Sequence, residues 1–341
     1  MSLEKSILDI NKINSILSSE YELHLIDCRK LALGSANCFK IKCKEGDFFL
    51  KEYQSDFTTE MVDTEAGIVE YLKSRDFPVA GFVKTVNGHN CSFYEGHVIN
   101  VQNYLEGQTY LDDFPRTLLP ECAKYLGIMH SILKDYPLEV SMDYDWAKKV
   151  SKDAISKKYN TLLSALGENK SDPHYNKIRE DLIFKKELMD SIDDWKKYFK
   201  GITLTSTHGD YSACQLICDN NSIIAVIDFS SAKCLPVVWE IMRSYIQSGG
   251  VSRNGSDFDI DDFLLYVKEY MKYAPLAKRD LEAMPYVYLF QLAQSSYGYK
   301  EYLIKKSDNK EALLDFAFWR TDICREIYRK AKDISEAITS I

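Results

Sequence analysis

No apolar run in this 341-residue chain approaches the roughly 18 residues that a membrane-spanning helix needs. The opening stretch, MSLEKSILDINKI, carries acids and lacks the apolar centre of a signal peptide, so a cytoplasmic protein without a membrane partner is expected. A basic excess is also missing. The 43 Lys and Arg stand against 51 Asp and Glu, a formal charge of −8, and basic clusters such as Lys148–Lys158 are interleaved with acids, which argues against a nucleic-acid partner. The acidic field mildly favours a cationic small molecule. The nine cysteines are odd in number and irregular in spacing, which points to reduced thiols and not to a disulfide framework. Cys214, Cys218 and Cys234 match no zinc-ligand spacing, and Cys218 reads as a small hydrophobe in a strand, so no structural metal is expected. What is present, 45% hydrophobic and 28% charged residues, suits a globular chain long enough for two core-bearing lobes.

The densest chemistry lies between Thr207 and Trp239, THGDYSACQLICDNNSIIAVIDFSSAKCLPVVW. Apolar runs Leu216–Cys218 and Ile223–Ile227 flank the polar gap Asp219-Asn220-Asn221-Ser222, which predicts a β-hairpin. With Cys218 opposite Ser222 or Ile223, Gln215 falls near Val226. Asp228 then projects from the face of Val226, as a diagonal neighbour of Gln215. An amide oxygen beside a carboxylate suits Mg²⁺, and Asp210, five residues before the amide, remains to act on a substrate. Each aspartate alone is ordinary in a turn or at a strand end. The compound spacing is not, because it is that of the catalytic loop and metal strand of kinase-type phosphotransferases.

In His208-Gly209-Asp210, Gln215 and Ile227-Asp228-Phe229 the chain resembles the aminoglycoside phosphotransferase and choline kinase family. That family normally has Asn where this chain has Gln215, whose carbonyl sits one methylene further from the backbone. The resemblance implies an α+β, bilobal, protein-kinase-like fold. Residues 1–102 would form a nucleotide-binding lobe with a five-stranded antiparallel sheet and a helix, 103–107 a hinge, and 108–341 a larger, mostly helical lobe for catalysis and substrate.

In chain order, Ile7–Leu17 has helical periodicity, and short strands follow from Tyr21 to Tyr53, broken near residues 33–37 and 44–47. The resemblance makes the first break the loop that covers the nucleotide, with Gly34, Ser35 and Asn37 at the matching places. In Phe48–Tyr53, Lys51 shares a strand face with Phe49 and Tyr53. The helix predicted over Met61–Leu72 has an apolar stripe through Met61, Val62, Ala66, Val69 and Leu72 that contains Glu65. A buried charge is costly unless paired, so Lys51 with Glu65 explains both residues. The resemblance likewise puts the lysine that orients phosphates, and its glutamate, at these positions. Ala80–Val86 and Ser92–Val101 are expected to complete the five strands. Val101–Gly107 resembles the interlobe hinge, where adenine would bond to backbone near Gln102 and Tyr104.

Beyond it, Leu118–Leu133 is an amphipathic helix containing the signature-like Leu126-Gly127-Ile128-Met129-His130, with His130 expected to be structural. Tyr144–Leu166 and Tyr175–Phe199 read as helices of an insertion whose charge runs are solvated faces; the resemblance implies that such inserts help shape the acceptor pocket. Pro236 opens a further helix in which Glu240 and Arg243 are spaced to form an ion pair. Asp257–Asp262 either attracts an amine or caps the next helix. The tyrosines from Tyr286 to Tyr302 read as helix packing in preference to a cation-binding aromatic wall.

The expected activity is an ATP- or GTP-dependent, Mg²⁺-requiring transfer of the γ-phosphate to a hydroxyl of an aminoglycoside, choline or other amino alcohol, homoserine or sugar. Asp210 would take the hydroxyl proton and Lys51, held by Glu65, would bind the phosphates. Gln215 and Asp228 would hold the metal. The second reading is a nucleotide-binding scaffold of kinase-like fold with little or no activity, as in spore-coat relatives. A protein kinase is disfavoured by the lack of an Ala-Pro-Glu segment after Asp228.

Overall fold

The computed structural model describes residues 4–31, 36–111, 113–137, 151–219 and 222–341. Contacts divide the chain into one unit of Met1–Thr109 with Gln215–Ala232, and a second of Tyr110–Cys214 with Lys233–Ile341.

In the first unit, strands β1 (Leu25–Leu31), β2 (Asn37–Cys43), β3 (Gly46–Glu52), β4 (Ser92–Tyr94) and β5 (His97–Asn103) form one sheet in the order β1-β2-β3-β5-β4, antiparallel throughout. Helix α1 (Ile10–Tyr21) starts three residues later than its periodicity suggests, because the Asp9 carboxylate accepts from the amides of Asn11 and Lys12 and caps it there. Its apolar face, Ile13, Ile16, Leu17 and Tyr21, is buried with Phe39, Ile41, Leu50, Ile99 and Val101 from the sheet.

The count of five strands is as expected, but their sources differ. The run from Ser92 is two strands joined by a tight turn at Glu95 and Gly96, both with positive φ. Residues 80–86 contribute no strand; they follow the end of β5 through two backbone bonds, Asn103 N to Gly81 O and Val83 N to Val101 O. Helix α2 (Thr59–Lys73) buries Val62, Glu65, Ala66, Val69 and Leu72. Met61, expected in that stripe, is exposed, so the apolar face centres one position later. A separate two-stranded ribbon pairs β7 (Leu216–Cys218) with β8 (Ile223–Val226).

The second unit is helical apart from β6 (Leu204–Thr207) paired with β9 (Lys233–Pro236). Its main helices are α3 (Leu119–Leu133), α4 (Lys152–Gly167), α5 (Tyr175–Leu188), α6 (Ile192–Lys196), α7 (Val237–Tyr245), α8 (Ile260–Met271), α9 (Lys278–Gln294) and α10 (Lys310–Thr339). The first seven residues of the helix expected from Tyr144 lie outside the described residues. Among the described residues, no helix is long and apolar enough to cross a membrane.

The last carbonyls of α9 receive side chains from α4 and α5. Tyr159 donates to Ala293 O, Lys158 to Gln294 O, and Lys185 to Ser295 O at 2.7 Å, which suits the negative end of a helix dipole. Lys185 is nearly sealed from water, and burial pushes its pKa down to about 7. An unfolded lysine stays protonated to about pH 10.4. Above pH 7 the unfolded chain therefore binds the extra proton, and this residue's contribution to stability rises with pH until both states are neutral. Buried thiols act in the opposite sense above about pH 8.5, so the informative comparison is with a variant that shares them. Between pH 6.5 and 8.5 the Tm of Lys185→Met should rise less than that of the parent. Parallel profiles would mean that Lys185 stays charged in the folded protein.

Candidate active site

In the first unit, β3 delivers Lys51 to a network of two carboxylates. Its Nζ lies 2.8 Å from Asp228 Oδ1 and 3.9 Å from Glu65 Oε1, and 4.6 Å over the Tyr53 ring. The Tyr53 hydroxyl donates to Glu65 Oε2 at 2.7 Å and accepts from Asn100 Nδ2 at 2.7 Å. This arrangement fixes Glu65 from two sides. Burial alone would lower the Lys51 pKa, but Glu65 and Asp228 outweigh it and hold the value above that of a free lysine. Burial, and after it Glu65, keeps the Tyr53 hydroxyl far above its ordinary pKa. The ammonium is thus a fixed charge at neutral pH.

Asp228 follows β8 in a left-handed conformation, φ 62° and ψ 66°, a region that aspartate enters more readily than most residues. Ser230 donates to its Oδ1 at 2.7 Å, and its side chain is 33% exposed. The ribbon register differs by one from expectation. Cys218 does face Ile223, but an irregularity between Ile217 and Cys218 places Leu216 opposite Val226, and Gln215 O accepts from Ile227 N at 2.9 Å. One extra residue in β8, a bulge, accounts for the slip. The strand-alternation argument also ends at Val226, since Asp228 has left extended geometry.

Gln215 closes a 3₁₀ turn, Ala213–Gln215, and is half-buried. The Asp228 carboxylate and the Gln215 amide carry oxygen donors of the kind Mg²⁺ takes, one or two from protein with water and phosphate oxygens filling the rest. Among the described residues no three His, Cys, Asp or Glu gather as metal ligands.

The remaining candidates of this unit are placed as follows. Gly34 and Ser35 lie outside the described residues. Asn37 is buried, accepts from Lys30 Nζ at 2.9 Å and donates to Glu4 O at 3.1 Å, so its side chain is engaged within the unit. Gln102 is buried on β5 opposite Phe49. Tyr104 N donates to Asp47 O at 3.2 Å, and Lys40 Nζ stands 3.9 Å over the Tyr104 ring.

In the second unit, β6 runs into His208-Gly209-Asp210. Gly209 has φ 79°, which glycine adopts without penalty, and successive amides converge on one carboxylate. His208 N donates to Glu240 Oε2 at 3.0 Å and Gly209 N to Oε1 at 2.6 Å. Glu240 Oε2 also bonds His130 Nε2 at 2.9 Å, and His130 Nδ1 meets Tyr270 OH at 2.8 Å. Burial would raise the Glu240 pKa, but the bonds and charge from His130 and His208 hold it below the usual glutamate value. A buried anion from α7 thus ties the loop to α3 and α8.

Gly127 lets those two helices close up. A Cβ there would stand 2.7 Å from Tyr270 O and 3.1 Å from Tyr273 Cβ. His208 Nδ1 accepts from Asp210 N at 3.2 Å, so His208 shapes the loop. The Asp210 carboxylate, 39% exposed, pairs with Arg243.

Sequence spacing suggested Glu240 with Arg243 as an ion pair on one helix. In the structure Glu240 serves the loop amides and His130, while Arg243 turns to Asp210. These partners are 31 to 110 residues away from Glu240 in sequence, beyond the reach of a local spacing rule. The available signal was a carboxylate inside the apolar run Val237–Met242, the same signal that singled out Glu65. Asp259 caps α8, and Asp262 pairs with Arg116 at 2.6 Å. Three of these tyrosines have partners within the unit: Tyr286 stacks on Tyr198, Tyr299 bonds Asp181 and Tyr302 bonds Asp172.

The sequence matches the Phosphotransferase enzyme family over residues 27–270. No curated protein matches it. Several solved structures share the fold. Spectinomycin phosphotransferase in complex with ADP and spectinomycin has a TM-score of 0.66 at 12% identity, over 96% of this chain and 100% of that one. Amicoumacin kinase in complex with AMP-PNP, Ca²⁺ and Ami has 0.64 at 13%, over 94% of each. Choline kinase from Cryptosporidium parvum has 0.54 at 13%, over 97% and 98%. At such identities the likeness speaks for the fold, a five-stranded antiparallel sheet followed by a mostly helical portion, of the kinase-like kind. The family match spans well over half of the residues and includes both the Lys51 network and the His208–Asp210 loop, and on that ground the chain belongs to the phosphotransferase enzyme family, as a small-molecule kinase.

Proposed function

We propose that this protein moves the γ-phosphoryl group of ATP or GTP to a hydroxyl of a small molecule, with Mg²⁺. The observation that carries the reading is the buried Lys51 ammonium, held between Glu65 and the partly exposed Asp228. A buried cation aimed at a carboxylate suited to a metal is what a nucleotide's phosphates require. Solved relatives in fold are complexed with ADP, AMP-PNP or GDP, which supports a nucleotide here too.

In this reading Lys51 contacts the nucleotide phosphates, and Glu65 with Tyr53 sets its direction. Asp228 and Gln215 would hold the metal ion, which supplies charge neutralisation at the β- and γ-phosphates. Asp210 orients the acceptor hydroxyl and takes its proton, while His208 and Glu240 fix the backbone that carries it. By the resemblance Gly34, Ser35 and Asn37, the last being the first residue of β2, would cover the nucleotide, and Gln102 and Tyr104 would lie at the adenine end. Residues 1–102 are assigned to the nucleotide, 103–107 to a hinge, and 108–341 to catalysis and acceptor. The free cysteines suit a cytoplasmic setting.

The alternative, a nucleotide-binding scaffold, rests on Gln215 standing where the family has Asn. Thermal unfolding separates the two. Nucleotide should raise Tm modestly alone and by several degrees more with Mg²⁺, and Asp228→Asn should abolish the Mg²⁺-dependent part. The absence of any metal-dependent shift in the parent would favour the scaffold.

A further inference from the structure

The second unit holds two arginines, Arg243 and Arg320, each with a guanidinium nitrogen that is buried and makes no hydrogen bond. Arg243, on α7, pairs with Asp210 through Nη2, yet its Nε is buried without a hydrogen-bond partner. Arg320, on α10, donates only to neutral oxygens, Gln291 Oε1 at 3.1 Å and Ser295 Oγ at 3.4 Å, and its Nε is likewise buried and unbonded. Among the described residues no carboxylate lies within ion-pair distance of it. Arg320 stands 5.6 Å over the Phe316 ring, and Arg253 stands 5.1 Å over the same ring and 3.9 Å over Trp319.

The three guanidiniums share one surrounding. Burial raises the pKa of Tyr288, and the charges of Arg320, Arg243 and Arg253 oppose it. Tyr297 responds to both Arg320 and Asp210. Gln247 lies one helical turn beyond Arg243 and, with Arg253, Ala213, Arg116 and Asp113, lines a cavity of about 200 Å³. The other charges of that cavity are Asp113 and Arg116, the latter paired with Asp262.

A half-buried guanidinium with a sealed, unbonded Nε and no carboxylate is costly. The lysines nearby have a structural account, since Lys158 and Lys185 cap the end of α9. Arg320 has none that satisfies its charge. We propose that the acceptor of this kinase carries an oxyanion, a carboxylate or a phosphate, which Arg320 receives, with Arg243, the partner of Asp210, supplying further positive potential. This rests on the phosphotransferase reading above. The net charge of −8 favours a cation at long range, but at physiological salt fields are screened within about 8 Å, so the local arginines set the preference.

The test uses the full chain and matched hydroxyl compounds. Homoserine, homoserine amide and 3-aminopropanol offer the same hydroxyl arm with and without a carboxylate, and glycerol 3-phosphate against glycerol provides the phosphate arm. Nucleotide consumption should be at least tenfold faster with one or both anionic members. Arg320→Gln should remove that preference through KM while keeping the nucleotide-dependent Tm shift.

Where no compound of the panel is turned over, 10 mM malonate or inorganic phosphate at low ionic strength decides. Either anion should raise the Tm of the parent by several degrees beyond a sodium chloride control, and leave Arg320→Gln at the control value. Equal rates for charged and neutral members, or equal anion responses in parent and variant, would overturn the proposal. Loss of the Mg²⁺–nucleotide shift with the anion response intact would instead count against the phosphotransferase reading.

Discussion

Asp210→Asn should lower acceptor phosphorylation by roughly 10²–10⁴-fold, the usual contribution of a positioned general base, with little change in Tm. The expectation of a stable variant follows from how the loop is held. Its amides are bonded to Glu240, and Gly209 supplies the left-handed turn, so the Asp210 side chain is not what keeps the backbone in place. The carboxylate is partly exposed and touches Arg243. An amide can accept a hydrogen bond from that guanidinium but cannot take a proton from a hydroxyl. Nucleotide binding, assigned to Lys51 and Asp228 in the first unit, should persist, and a Mg²⁺–nucleotide Tm shift equal to that of the parent would confirm it. A variant consuming nucleotide within threefold of the parent rate on a productive acceptor would remove Asp210 from the base role.

Glu240→Ala should be the most damaging single truncation outside the apolar core. It would strand two buried amides and one imidazole nitrogen at once. Removing one partner of a buried charged network costs about 3–5 kcal/mol, or a fall in Tm of roughly 6–20 °C at about 2–4 °C per kcal/mol. Activity should fall as well, because the backbone leading into Asp210 loses its anchor. Glu240→Gln keeps one acceptor oxygen and should lie between the two. The folded pKa of Glu240 is lowered, so its contribution is present above the ordinary glutamate range and is lost as pH drops through the folded value. The parent should therefore be more acid-sensitive than Glu240→Gln, measured as the slope of Tm below pH 4.5. A Glu240→Ala protein as stable as the parent would show that water replaces the carboxylate.

Much of this was legible from residues alone where a charge interrupts an apolar pattern. Lys51 in an aromatic strand and Glu65 in a helix stripe each demanded a partner, and the structure brings them to 3.9 Å. The closer partner of Lys51, Asp228 at 2.8 Å, was read only as a metal ligand. It lies 177 residues away, and no periodicity links a strand to a ribbon so distant. The ribbon register failed for a different reason, since a bulge leaves no mark in a run of Ile, Ile, Ala and Val. Residues 80–86 look strand-like in composition, yet β4 takes the edge of β5 beside them because Glu95-Gly96 turns the chain back on itself.

The closeness of α3 and α8 at Gly127 has a further consequence. The 2.7 Å that a methyl group would leave to Tyr270 O means that space, and not any polar contact, sets where the Tyr270 hydroxyl reaches His130. Through His130 that gap is felt at Glu240, and through Glu240 at the peptide carrying Asp210. The alignment of the proposed base is therefore governed in part by a side chain that does not exist, at a position bearing no chemistry of its own.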